Sequence, residues 1–101
     1  MANRLDLHEE LVNLLGNRNV YFQPPASVVM KYPSIRYELS NVRLKFANNQ
    51  KYNARRCYSL TLIHKDPDTD IVDKILELPM CSMDTSFQAD NLNHWVFSIF
   101  Y

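Results

Sequence analysis

The sequence predicts an α+β domain: a small, mostly antiparallel sheet of about four to five strands with two helices packed on one face, in the order α-β-β-β-α-β-β. Three observations carry this. An apolar stripe at helical spacing opens the chain, four later segments alternate apolar and polar residues at a period of two, and a short helical pattern interrupts them after Asp70. Nothing in the 101 residues marks a repeat, a low-complexity tract or a domain boundary, so the expectation is a single domain over 1–101.

The opening helix rests on Leu5, His8, Leu11, Val12 and Leu15, which share one face. Asn3 has the chemistry of an N-cap, and Gly16 stands where a left-handed residue ends a helix. It is the chain's one glycine, so the remaining turns have to use Asn, Asp and Pro. Asn19 to Gln23 reads as a short extended piece, stopped by Pro24-Pro25. Three of the five prolines fall between Pro24 and Pro33, which excludes a helix or a central strand there. Two readings stay open for this segment: a stiff arm reaching a neighbour, or a plain crossing over the sheet end.

From Ser34 the chain alternates with Ile35, Tyr37 and Leu39 on one face and Arg36 and Glu38 on the other. The phase then flips, because Val42, Leu44 and Phe46 are even-numbered. A slip of one residue would turn every side chain to the wrong face, so a bulge or sharp bend at Ser40-Asn41 has to absorb it. The polar stretch 47–53 reads as a loop or hairpin tip. Arg55 to His64 is the strongest strand signal, with both faces partly covered, and is expected at the centre of the sheet. Lys65 to Asp70 is a turn and helix start, and Ile71, Ile75 and Leu78 continue as a two-turn helix ended by Pro79. Ser82–Ala89 and His94–Tyr101 are two strands around a turn at Asp90-Asn-Leu-Asn93.

Composition bounds the function classes. Hydrophobic content of 47% is ordinary for a soluble globular protein, and no apolar run reaches the ~20 residues of a membrane span. The polar, partly acidic N-terminus is unlike a signal peptide, and Cys57 and Cys81 read as two reduced thiols of a cytosol-made protein. Net charge is zero, yet residues 31–65 carry eight cations against one acid, and residues 66–101 carry one cation against seven acids. Such polarity suits an anionic partner or further copies of the chain, unless the fold interleaves the two segments.

Catalytic readings fail on spacing. Asp66, Asp68, Asp70 and Glu77 match the ligand spacing of a calcium loop, but Ile71 stands where a residue tolerant of positive φ is required, and a strand precedes where a helix is needed. The acids are better read as a helix N-terminal cluster. Cys57 and His64 fall on opposite faces of one strand. The sequence holds no nucleophile elbow, phosphate loop, dinucleotide fingerprint or metal-ligand cluster among His8, His64 and His94. No catalytic residue, metal or cofactor is expected, and the chain reads as a non-enzyme. Nucleic-acid binding has a footing in Arg43, Lys45, Lys51, Arg55 and Arg56, with Tyr52 and Tyr58 nearby for stacking, against a pI near 6.8. Twelve aromatics, several on both faces of the last strand, exceed what two helices can hide and point to a subunit with adhesive surface.

The stretches "NVYFQPP…YPSIRYELSNV" and "ANNQKY…RCYSLTLIHKDPDTDIVDKILELPMCSMDTSFQADNLNHWVFSIFY" resemble the small tail terminator proteins of long-tailed bacteriophages, also called minor capsid or tail-completion proteins. The likeness spans nearly the whole chain. It is most specific at Tyr32-Pro33-x-Ile35-Arg36-Tyr37, Asp66-Pro67-Asp68 and Leu92-Asn93-His94. The resemblance implies a structural virion protein that forms a homohexameric ring at the neck, assembled in the host cytoplasm. Such a ring caps the tail tube, stops its polymerisation and offers a surface to the head connector. The implied partners are the chain itself, the tail tube protein and the head-completion protein, with DNA passing through the channel without sequence-specific binding and no membrane involved. The alternatives are a head–tail connector or stopper component, or a small nucleic-acid-binding accessory protein using 43–56. The residues expected at the subunit or tube interface are Pro24, Pro25, Arg43, Lys45, Lys51, Tyr52, Arg55, Arg56, Asp66, Asp68 and Asp70.

Overall fold

A computed structural model describes residues 4–24, 31–44 and 54–101, with backbone alone at 41–44 and 54–55. The elements run α1 (Arg4–Leu15), β1 (Val20–Phe22), β2 (Ser34–Leu44), β3 (Ala54–His64), α2 (Ile71–Leu76), β4 (Cys81–Ala89) and β5 (Leu92–Phe100), the α-β-β-β-α-β-β order expected. They build one five-stranded mixed sheet in the order β1-β2-β3-β5-β4. β3 is the central strand. Four pairings would be antiparallel in a simple meander, but β1 instead runs parallel to β2, Val20 beside Ile35 and Phe22 beside Tyr37. That parallel pair explains the proline-rich segment. β1 ends level with Tyr37 and β2 begins level with Asn19, whose carbonyl accepts from Ile35 N at 3.0 Å, so the chain has to travel back along the sheet between them. Pro25 and 26–30 lie outside the described residues; Pro24 and Lys31 mark the two ends of the return.

Both helices lie on one face of the sheet. Leu7, Leu11, Val12 and Leu15 of α1 and Ile71 and Ile75 of α2 share a core with Val20, Ile35, Tyr37, Tyr58, Leu60, Leu62, Phe97 and Ile99. The α1 stripe is shifted from its sequence reading. Leu7 is fully buried, whereas Leu5 is 63% exposed. Leu7, Leu11 and Leu15 recur at i, i+4 and i+8, and at ~100° per residue Leu5 falls roughly a third of a turn from the middle of that row. Gly16 ends α1 with φ +86° and its N–H donates to Val12 O at 3.0 Å, as a left-handed C′ glycine should. Asn3 lies outside the described residues.

The phase flip in β2 is a β-bulge. Leu39 pairs with Tyr58 and Asn41 with Cys57, leaving Ser40 extra. A second bulge falls in β4, where Met83 pairs with Phe97 and Thr85 with Val96, leaving Asp84 extra. Glycine-poor turns use Asn and Asp: Asp90 and Asn91 both take positive φ (53° and 63°) and close a two-residue hairpin between Ala89 and Leu92, tighter than the four-residue turn read from sequence. α2 starts on Thr69, whose Oγ1 accepts from Ile71 N at 3.2 Å, while Asp70 makes no capping bond.

Polar side chains tie α1 to the sheet. Arg4 Nη1 donates to the Tyr37 hydroxyl at 3.2 Å, and that hydroxyl is 2.7 Å from His8 Nδ1. The guanidinium also sits 4.3 Å over the Phe22 ring. With Arg4 able only to donate, the arrangement that satisfies all three groups has Tyr37 donating to a neutral His8. Burial and the nearby Arg4 charge lower the His8 pKa, consistent with that neutral form. At the far end of α1, the Tyr101 hydroxyl donates to Glu10, and burial together with this carboxylate pushes the Tyr101 pKa up to about 12.

Candidate interaction surface

The residues singled out for function divide by position along β3. Arg43 and Arg55 occupy directly opposed positions at the start of the β2–β3 pairing, and Arg56 opposes Val42. Arg56 is exposed. From Ala54 to His64 the strand carries the chain roughly 33 Å, at ~3.3 Å per residue, to the turn bearing Asp66, Asp68 and Asp70. The hairpin turn at Asp90 lies at this same end, because Ala89, Leu92 and Asn93 are level with His64. Arg43, Arg55 and Arg56 thus stand at one end of the sheet and Asp66, Asp68, Asp70 and Asp90 at the other, while Arg36 of the basic block lies level with Thr61 toward the acidic turn and Asp84 of the acidic block sits mid-strand between Met83 and Thr85. Lys45, Lys51, Tyr52 and the 47–53 loop lie outside the described residues.

Asp66, Asp68 and Asp70 are exposed and each is tied to local structure. Asp66 Oδ1 accepts from Asp68 N at 2.9 Å, Asp66 N donates to His64 Nδ1 at 3.0 Å, and Asp70 lies 3.9 Å from Lys74 one helical turn on. Among the described residues no group of three metal-ligating side chains converges. Glu38, the one acid of the basic segment, pairs with Arg36 at 3.5 Å. Cys57 and His64 lie on opposite faces, as their odd spacing requires. No described helix is long and apolar enough to cross a membrane.

Two sequence-based expectations need correction. Tyr58 cannot stack on a base, because it is 3% exposed and packs edge-on against Tyr37 in the core. The aromatic surplus is also smaller than composition implies. Phe97 and Tyr37 are core residues, Phe22, Trp95 and Tyr101 pack against the core, and among the described aromatics Tyr32 and Phe87 are the exposed ones.

The sequence marked β4 as a strand but not as an edge with exposed apolar side chains. Seven of its nine residues are exposed, and it forms the outer edge of the sheet beyond β5. Met80, Met83 and Phe87 put 45%, 46% and 50% of their surface into solvent along this edge. Phe87 stacks on His94 of β5, ring centroids 4.7 Å apart and nearly parallel. Beside them a shallow cleft of about 330 Å³ is lined by Pro67, Ser86, Phe87, Gln88, Asn93, His94 and Trp95. The signal was available: "CSMDTSFQA" lacks the regular apolar face that a strand buried on one side must carry. At the bulge, Ser98 Oγ donates to Asp84 Oδ2 at 2.5 Å. Burial, with the nearby Asp84 charge, pushes the Cys81 thiol up to about 11, which leaves it protonated and unreactive at neutral pH.

Compared with known proteins, the chain matches no family model, no curated protein and no solved structure.

Proposed function

We propose that this chain is a ring-forming structural subunit of a long-tailed bacteriophage, which caps the tail tube, ends its growth and presents a surface to the head connector. The observation that carries the reading is the head-to-tail polarity of the sheet, arginines at one end and carboxylates roughly 33 Å away at the other. A ring requires a heterologous contact, one patch meeting a different patch on the next copy, and opposite charges at separate places on one subunit supply that difference. The sequence resemblance to tail terminators gives the polarity its biological setting, including six copies and a neck location.

Electron microscopy of a phage lysate lacking this gene tests the proposal. Overlong tubes beside filled, tailless heads are expected; normal virions would sink it. A second reading has one observation in its favour. The backbone register sets Arg43 directly opposite Arg55, two cationic residues at one level of the sheet. On that reading the hairpin end holds nucleic-acid phosphates, and affinity for DNA should fall steeply between 50 and 200 mM salt, on the order of tenfold or more for a few contacts.

A further inference from the structure

We infer that the free edge of β4 is a docking site for an extended, lysine- or arginine-bearing segment of another protein, which adds to the five-stranded sheet as one more strand. The inference goes beyond the ring-forming role and holds whether or not that role does.

β4 is the last strand of the sheet and pairs along one side only, with β5. Seven of its nine residues are exposed, so its outer side stands open to solvent. Such an edge turns alternate N–H and C=O groups outward, a template for a further strand. A protein that keeps an edge to itself blunts it with Lys, Pro or a very short strand. Cys81–Ala89 contains neither residue and is not short, and the bulge at Asp84 is its one guard. Beyond the bulge, Thr85 to Ala89 keep a regular ladder with Val96 to Leu92.

An added strand sends its side chains alternately to the two faces of the sheet, and β4 offers an apolar contact on each. Met83 is level with Phe97 and lies on the face that carries the helices. Phe87 is level with His94, an odd number of residues from Phe97, and so lies on the bare face. Both are about half exposed. His94 stacks on Phe87 and fixes its ring. The cleft of about 330 Å³ beside them offers Ser86, Gln88 and Asn93 for hydrogen bonds and Trp95 for packing.

Charge selects the occupant. Asp84 is on the strand, Asp73 and Glu77 are on α2, which packs against β4, Asp66 and Asp68 flank Pro67 of the cleft, and Asp90 is in the hairpin turn. Lys65 and Lys74 are the cations of this region, and Lys74 lies 3.9 Å from Asp70. Arg56 stands two strands in, past the start of β4. The surplus around the edge is acidic. A second copy pairing β4 with β4 about a two-fold axis would set these carboxylates against themselves. A cationic segment gains from them instead, while its backbone completes the ladder.

Fluorescence anisotropy tests the inference, with a labelled, end-blocked peptide of about twelve alternating lysines and valines as probe, at about 50 mM salt. The full chain should bind it saturably, and the amide resonances of Met83–Gln88 should shift in NMR spectra. Two relatives of the probe should bind at least roughly tenfold more weakly. One carries glutamate for every lysine; the other carries D-valine, which keeps the charge but not the strand geometry. Met83→Lys/Phe87→Lys, folded by circular dichroism, should weaken binding about tenfold. Asp73→Asn/Glu77→Gln, confined to exposed helix positions, should weaken it about threefold without touching β4. Absence of binding, equal binding of either relative, or shifts confined to residues outside β4 would overturn the inference. A dimer in sedimentation velocity that Met83→Lys/Phe87→Lys dissolves would overturn it in favour of β4 pairing with itself. Tube length in the gene deletion bears on the ring alone, so the two ideas fail separately.

Discussion

At the scale of single residues, Ser34 carries the one buried side-chain polar atom without a hydrogen-bond partner among the described residues. Its side chain is fully buried and its Oγ has no hydrogen-bond partner. An orphaned hydroxyl of this kind costs on the order of 1–3 kcal/mol, so Ser34→Ala should stabilise the fold by about 1 kcal/mol and raise Tm by roughly 4 °C in calorimetry. A drop in Tm would mean the hydroxyl has a partner after all. His8 gives a pH-dependent prediction. Its folded pKa is depressed below 6.5, so the folded state favours the neutral ring; its contribution is present above pH 6.5 and is lost as pH falls through the folded value. Urea midpoints of the wild type should fall between pH 6.5 and 5, and His8→Gln should flatten that slope. The Tyr37 partner was illegible in sequence, because it lies 29 residues away and only the folded sheet brings it under α1. Gly16 was legible at once, because a lone glycine after an apolar helical stripe has few other uses.

At the scale of elements, what the sequence revealed was phase and what it hid was partnership. The bulge at Ser40 followed from six apolar residues whose parity changes between Leu39 and Val42, a purely local signal. Deleting Ser40 should straighten β2 while keeping Asn41–Leu44 in their present register, with Val42 and Leu44 at positions of the same parity as Leu39, so the urea midpoint should correspond to a change of less than about 1 kcal/mol. A larger loss would show that the bulge itself is needed. Gly16→Ala should cost about 1 kcal/mol, because φ +86° strains any Cβ although nothing lies within 4 Å of one. The parallel seat of β1 was not legible, since three residues of "VYF" look alike in either direction and their partner is chosen by α1, which has to land on the same face. β4 was recognised as a strand but not as an edge, because its polarity was read as ordinary rather than as the mark of a strand exposed on both sides.

At the scale of the whole molecule, the length of β3 keeps Arg55 and Arg56 apart from the acidic turn that follows His64. Arg55→Glu/Arg56→Glu reverses one pole. It should leave the monomer folded by circular dichroism while abolishing termination, scored as overlong tubes when the variant replaces the native gene; tubes of normal length would remove these arginines from the interface. The position of β5 carries a further consequence. This strand follows β4 in the chain yet sits between β3 and β4 in the sheet, where it supplies Phe97 and Ile99 to the core. Until Leu92–Phe100 has paired with β3, β4 has nothing to hang on. A chain stopped or clipped before β5 would thus lack both its core and its outer rim at once. Clipping within β5 is therefore expected to unfold the whole sheet rather than fray one edge of it.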